Sequence, residues 1–567
     1  MKLFRYPKQT DTHADTLAVA GFAYLLRNLG GVRRKVRVQD TGSNWELTVD
    51  PPFDENAVDR WDGDPLYPYV KLPGDDEAPE GAFDYSAESA RLEVKRKTPK
   101  KPRGRRSPAM DAESSMLSEA AVEPHAETAL LRIFNGMRKG FKGDIRMHAA
   151  LRTRPPREAL GARLQALAGS LSEAVEVELP LSASQWFMPL CGKGATGVKA
   201  DGAGLRQFPA PRIDWFDTWM RYVGMYQALT NHGVGDDLKL AVLVPADIDA
   251  EVLPRLRARL RERSVFGGRV DVRAPLELAR TLVEHSEELV GHEPGWLVRF
   301  GGRRPREVLR GLQMTTYKKM GTASSVMNVA FLGIPSWSSI SDRITAQEFL
   351  ETLADLDAYQ RALRVEENIS EDIELMRLLR DLVSAGTVEA ACSFFARAAA
   401  DVLRRLSSQR YFPLISEITV RRIFMGIEPS LSAIIDDAGF KSVAKAIRAA
   451  TIHAQLHEND RVLQPRYGLA QAWRQAATHK ERFASELARF VQGFNADVVR
   501  KREVDHQAGR DRRIYPSLVM VDDLTSVLQL VETHGSHLVA HLLLAVGFAQ
   551  TQRAGSSEST STAKESA

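Results

Sequence analysis

Cysteine is nearly absent: the 567 residues contain two, Cys191 and Cys392, far apart in the chain. That excludes a disulfide-framed fold and a cysteine-rich structural zinc site. Long apolar runs are lacking too. The most apolar window, Leu538–Ala549, covers about 12 residues and contains His541, short of the roughly 20 that a membrane span needs. The charged start MKLFRYPKQTD has no secretory apolar core. A reducing cytoplasm without membrane contact is therefore expected. Catalytic signatures are missing as well. There is no G-x-S-x-G elbow and no cysteine with a plausible triad. His13 stands alone in the first hundred residues, and Asp15 or Thr16 serves better as a helix cap than as a metal ligand. His534 and His537 flank Gly535 without clustered carboxylates and read as structural. No catalytic residue, metal or cofactor is expected.

What is present is enough for several cores. At 567 residues, with 44% apolar and 26% charged residues, the chain should form two to four units. Net charge is +4, but an acidic stretch, Asp54–Glu88, is followed by a basic one, Arg91–Arg106. In DTHADTLAVAGFAYLLRNLGG the apolar spacing predicts a helix stopped by Gly30 and Gly31. Val36–Gln39 and Trp45–Val49 predict a hairpin. Residues 51–126, rich in Pro, Gly and charge, predict loop, part of it mobile. Beyond Glu127, strand-like runs at Ile145–Leu151, Val175–Leu179, Leu238–Val244 and Val270–Val272 alternate with helical runs at Trp215–Leu229 and Ala250–Arg263. Strand signals nearly vanish after Ser370. The expected fold class is an α+β N-terminal body over residues 1–370 followed by an all-α helical bundle over 371–550, with a disordered Ser/Thr-rich tail at 551–567.

Three segments invite phosphate. Arg91–Arg106 places nine cations and one acid in sixteen residues, a loop that either neutralises a nucleic-acid backbone or is simply solvated. Leu190–Gly204 holds five glycines with Lys193 and Lys199, and Arg206 follows. It fails the nucleotide-loop pattern, because Val198 stands where the lysine belongs and Lys199 where a hydroxyl should hold magnesium. A nucleic-acid-contacting loop or a plain surface loop remains. Tyr317, Lys318 and Lys319 precede Gly321 and a Ser/Thr cluster, offering backbone-positioning donors or an ordinary strand end. Trp215, Trp219, Tyr222 and Tyr226 recur at helical spacing and read as core; Trp186 and Phe208 are the better candidates for stacking on bases.

The last hundred residues carry the strongest pattern. Leu469, Trp473, Phe483, Leu487, Phe490, Val491 and Phe494 draw one apolar stripe, predicting a single long helix, and Arg474, Arg482 and Arg489 project away from it. Further cations recur at Arg404, Arg405, Arg410, Arg421, Arg422, Lys441, Lys445, Arg448, Arg466 and Lys480; Lys441, Lys445 and Arg448 share a helical face. Such a strip suits a single strand or a guide-bearing filament, or belongs to a merely soluble bundle.

The runs RYGLAQAWRQA, ELARFVQGFNADVVR and DDLTSVLQLVETHGSHLVAHLLLAVGFAQ resemble the helical C-terminal region of type I CRISPR large subunits, which in several subtypes is equivalent to the small subunit of the interference complex Cascade. The likeness covers Met376–Gln550 in helix order and Tyr467–Gln550 in motif. It implies a non-catalytic, antiviral role: sitting at the guide-handle end, reading the protospacer-adjacent motif on duplex DNA, and stabilising the opened R-loop. Implied partners are guide RNA, target DNA, the backbone and handle-binding subunits, and a recruited helicase-nuclease. A free small subunit started at Met376 is a further implication. No family motif assigns contacts. From local chemistry, Lys193, Lys199 and Arg206 are expected at the duplex, Lys318 and Lys319 as secondary contacts, and Arg474, Arg482 and Arg489 at the strand or guide. The rival readings are a nucleic-acid-processing enzyme with an unrecognised metal site and a purely structural adaptor.

Overall fold

Alternating apolar residues in the first fifty positions build one face of an antiparallel sheet. The computed structural model describes residues 1–53, 57–61, 65–71, 75, 77–84, 86–88, 90, 141–152, 155–170, 175, 177, 214–234, 237–262, 269–291, 297–320, 323–408, 412–456, 463–509 and 514–551. The chain forms two units, Met1–Gly267 with Glu307–Leu332, and Gly268–Arg306 with Gly333–Ala567. An α+β body precedes a helical bundle, as the sequence predicts. The boundary expected near Ser370 instead falls inside the second unit, because helices at Val270–Glu284 and Arg343–Ala362 already belong to it.

In the first unit one sheet runs in the order Lys2–Pro7, Asn44–Asp50, Lys35–Asp40, Asp247–Asp249. The predicted hairpin is present, with Val36 opposite Val49 and Val38 opposite Leu47. The second sheet runs Ala323–Gly333, Leu309–Met320, Asp237–Pro245, Leu229–Val234. The opening helix, His13–Asn28, is buried almost throughout and packs on strands of both sheets and on the Trp215–Ala228 helix. The two helices meet at glycines. A Cβ on Gly21 would fall 1.9 Å from the Met220 carbonyl oxygen, and one on Gly224 would fall 1.9 Å from that of Leu17. Only hydrogen fits there. Phe22 fills the adjoining core, its ring centroid 5.8 Å from Phe4 and 5.7 Å from Phe216.

Several local expectations change. The helix is capped by Thr12, whose side chain accepts from Ala14 N. Asp15 instead accepts the N–H groups of Gln9, Thr10 and Asp11, tying down the preceding turn. Ile145–Leu151 is not a strand but the end of the Phe141–Leu151 helix, and Val270–Val272 opens the Val270–Glu284 helix. The stretch at 51–90 is not wholly loose. Phe53, Trp61, Leu66, Tyr67, Val70 and Phe83 are buried, Val70–Lys71 pairs in parallel with Phe83–Asp84, and Trp219 Nε1 donates to the Tyr67 hydroxyl at 3.1 Å. The basic tract Arg91–Arg106 lies outside the described residues, as does the tail from 552 onward.

The second unit is built around the helix Ser536–Gly547, which holds most of the apolar window Leu538–Ala549. It is buried on nearly all sides against the helices Val388–Ser408, Glu417–Ile427, Ala438–Arg448, Leu469–Ala476, Lys480–Gln507 and Val521–His534. A helix apolar all round can be stable in water only at such a centre. Arg405, Asp372 and Asp401 form a buried triad, with both ion pairs at 2.5 Å. Among the described residues no helix is long and apolar enough to cross a membrane.

Candidate nucleic-acid interface

The apolar stripe of the last hundred residues divides between two helices. The chain turns at Ala477–His479, so Trp473 lies on Leu469–Ala476 while Phe483, Leu487, Phe490, Val491 and Phe494 lie on Lys480–Gln507. Trp473 still completes the stripe, packing edge-on against Phe483 at 5.3 Å and Phe490 at 5.5 Å between ring centroids. Arg474 is therefore separated from Arg482 and Arg489, which stay on the longer helix.

Most of the expected cationic strip is occupied by the fold's own acids. Arg404 pairs with Asp401, Arg421 and Lys441 with Asp436, Arg422 with Glu348 and Glu351, Arg466 with Asp497, and Lys480 with Glu532. Arg405 is buried in its triad. Arg448 is buried too, donating to the carbonyls of Ala549 at 2.8 Å and Val546 at 2.7 Å and pairing with Glu417, so of the expected face of Lys441, Lys445 and Arg448, Lys445 alone has no partner among the described residues. Its arginine holds the C-terminal carbonyls of the central helix, an attractive place for a cation. Arg410 lies outside the described residues.

One face survives. On Lys480–Gln507, Arg482 is exposed and has no acidic partner among the described residues. Arg489 and Arg500 follow it by seven and eighteen residues, two and five helical turns, which puts all three residues on one line of the helix with Cα atoms about 10 Å and 16 Å apart along the axis. Arg489 reaches Glu486 at 3.0 Å and Arg500 reaches Asp497 at 2.8 Å, with 73% and 76% of their side-chain surface exposed. Ion pairs this exposed are weak and exchange readily for another anion. Asp497 would not be left unpaired by such an exchange, because its other oxygen holds Arg466 at 3.0 Å. The helix carries six cations and five carboxylates, so alignment and not total charge makes this face attractive to phosphate. Sequence reasoning missed Arg500. Its signal was there in the eighteen-residue spacing from Arg482.

Arg474 sits apart, half-buried, in a shallow pocket lined with Gln471, Gln475, Thr478, His537 and His541. It has no hydrogen bond or ion pair among the described residues. Burial holds its guanidinium below the ordinary value, Arg397 adds to that, and Glu374 opposes it. His541 is buried, and that burial lowers its imidazole to about 4 against a favourable hydrogen bond to the His537 carbonyl. His537 thus lines a polar pocket, beyond the purely structural part expected of it.

In the first unit, Tyr317 is buried and Lys318 exposed on the central strand Leu309–Met320 of the second sheet. The side chain of Lys319 lies outside the described residues, as do Lys193, Lys199, Arg206, Trp186 and Phe208. Trp215, Trp219, Tyr222 and Tyr226 are core, as expected. His13 is buried with Nδ1 2.7 Å from the Thr315 hydroxyl. Among the described residues no three His, Cys, Asp or Glu side chains converge as a metal site. No protein-family model matches the sequence, and no curated protein is significantly similar to it.

Proposed function

We propose that this chain is a non-catalytic large subunit of a cytoplasmic CRISPR RNA-guided DNA surveillance complex, in which the helical unit holds a nucleic-acid strand on the face of Lys480–Gln507. The observation that carries this reading is the line of Arg482, Arg489 and Arg500 on the solvent side of a helix whose own sequence carries the resemblance. A guanidinium fork is suited to phosphate, and forks aligned along one helix face hold a strand without reading its bases. In such a complex the guide reads sequence by pairing, so a helical support needs charge and spacing only. Lys193, Lys199, Arg206, Lys318 and Lys319 remain the proposed contacts to duplex DNA and its motif.

A second reading is favoured by a specific observation. So many cations of the bundle are paired internally that the unit also suits a structural adaptor joining the backbone subunits. One experiment separates the two. Binding of labelled single-stranded DNA to the full chain, alone and assembled with guide RNA and backbone subunits, is followed by anisotropy against salt. Changing Arg482, Arg489 and Arg500 together to Gln should weaken binding about tenfold or more. It should also flatten the salt dependence by about two, since each phosphate contact on a single strand contributes about 0.7 to the slope. Binding and salt slope unchanged by the triple substitution would reject the proposed face. An assembly that forms but never binds DNA would establish the adaptor.

A further inference from the structure

We propose that the pocket between the Leu469–Ala476 and Ser536–Gly547 helices is a binding site for a phosphate group. The inference does not depend on the nucleic-acid reading, because free inorganic anions test it. Six side chains form the wall: Gln471, Arg474, Gln475 and Thr478 from one side and His537 and His541 from the other. All carry polar atoms, and no carboxylate is among them. The pocket's volume of about 280 Å³ is ample for a phosphate with some of its water.

Charge accounting in this corner leaves a cation without a counter-ion. Arg474 is half-buried and has no partner among the described residues, whereas the triad arginine, Arg405, has two carboxylates. The acid acting on Arg474 is Glu374, but that carboxylate already pairs with Arg397 at 2.9 Å. The Arg474 guanidinium is partly desolvated and has water in place of an acid, so an arriving anion displaces water and breaks no protein ion pair. A phosphate oxygen pair matches its planar fork. The amides of Gln471 and Gln475 and the hydroxyl of Thr478 add neutral donors that lose little by facing water when the site is empty.

The two histidines add a proton to the binding step. His541 Nδ1 lies 2.6 Å from the His537 carbonyl oxygen, and a carbonyl only accepts, so Nδ1 carries the hydrogen and Nε2 keeps its lone pair. The rings of His537 and His541 are 4.1 Å apart between centroids. His537 and Arg474 both act against protonation of His541 while the pocket is empty. An anion reverses that balance. Protonated at Nε2, His541 becomes a donor to the anion, so binding takes up a proton and strengthens as pH falls.

The test uses the full-length protein labelled at the histidine ring carbons, with the His537 and His541 signals assigned through His537→Asn and His541→Asn. Sodium sulfate is the first probe, because its charge is constant from pH 8 to pH 5; inorganic phosphate and an unphosphorylated single-stranded oligonucleotide are the second and third. At constant ionic strength sulfate should move the His541 signal saturably, with affinity at least tenfold higher at pH 5 than at pH 7. Arg474→Gln should lower the affinity at least tenfold, and Arg474→Lys, which keeps charge without the fork, should fall between. Saturation by inorganic phosphate identifies a free-anion site. Saturation by the oligonucleotide alone identifies a strand phosphate as the source, and either result supports the site. If no probe moves the His541 signal, or if a folded Arg474→Gln protein titrates like the parent, the proposal is overturned.

Discussion

Single residues decide more here than their conspicuousness in the sequence suggests. Gly224 and Gly21 look like ordinary helix-weakening residues, yet each lets a backbone carbonyl of the neighbouring helix approach to where a methyl would stand. Gly224→Ala should therefore destabilise the protein by about 3 kcal/mol or more, the upper range for overpacking, where an exposed helical Gly→Ala would stabilise it. Denaturant unfolding of the full chain measures this. The Arg405 triad makes an acid-sensitive counterpart in the second unit. Burial acts to raise the Asp372 carboxyl, but hydrogen bonds from Arg405 and from the Arg364 N–H outweigh it and hold the group below its ordinary value. A carboxyl depressed on folding adds stability that is full above its unfolded value and is lost as pH falls through the folded one. Thermal midpoints should thus drop steeply below about pH 4. Asp372→Asn should cost about 3 kcal/mol at pH 7 and flatten that drop. Neither feature was legible in the sequence. Spacing shows which residues share a face, but not that Arg405 turns inward to meet two acids while Arg482 stays in water.

At the level of elements, long periodic segments were readable and short ones were not. The opening helix, the hairpin at 35–50, the Trp215–Ala228 helix and the strand at Asp237–Pro245 all follow from their patterns. Ile145–Leu151 and Val270–Val272 misled because runs of only seven and three residues fit a strand or a buried helix turn equally well. The stripe from Leu469 to Phe494 predicts its core correctly and its continuity wrongly. The turn at Ala477–His479 keeps Trp473 on the same aromatic cluster, so periodicity alone has no means of detecting the break. For the candidate interface the consequence was mixed. Arg482 and Arg489 could be named from spacing, whereas the partners that neutralise Arg421, Arg422, Arg466 and Arg448 come from other helices and are invisible locally. The exposed pairs of Arg489 with Glu486 and Arg500 with Asp497 lead to a prediction at this scale. Glu486→Gln with Asp497→Asn should leave Arg489 and Arg500 free and raise single-strand affinity severalfold at low salt, an effect that about 0.5 M salt should abolish in anisotropy titrations.

At the level of the whole molecule, the second unit is not a simple C-terminal piece. Met376 is buried midway along the Ser370–Ala385 helix, and Asp372, one half of the clamp on Arg405, lies before it. A product started at Met376 would also lack Val270–Glu284 and Arg343–Ala362, which pack within the same unit. Expressed alone, it should melt at least 10 °C below the full chain or fail to accumulate, as differential scanning fluorimetry would show; a cooperative transition matching that of the intact protein would contradict this. The interleaving of the two units bears on biosynthesis. Asp237–Pro245 needs Leu309–Met320 as its neighbour, but residues 268–306, part of the other unit, are translated between them. Until about residue 320 has left the ribosome, that strand has an open hydrogen-bonding edge, so slowed elongation or chaperone capture in this window should govern the yield of native protein.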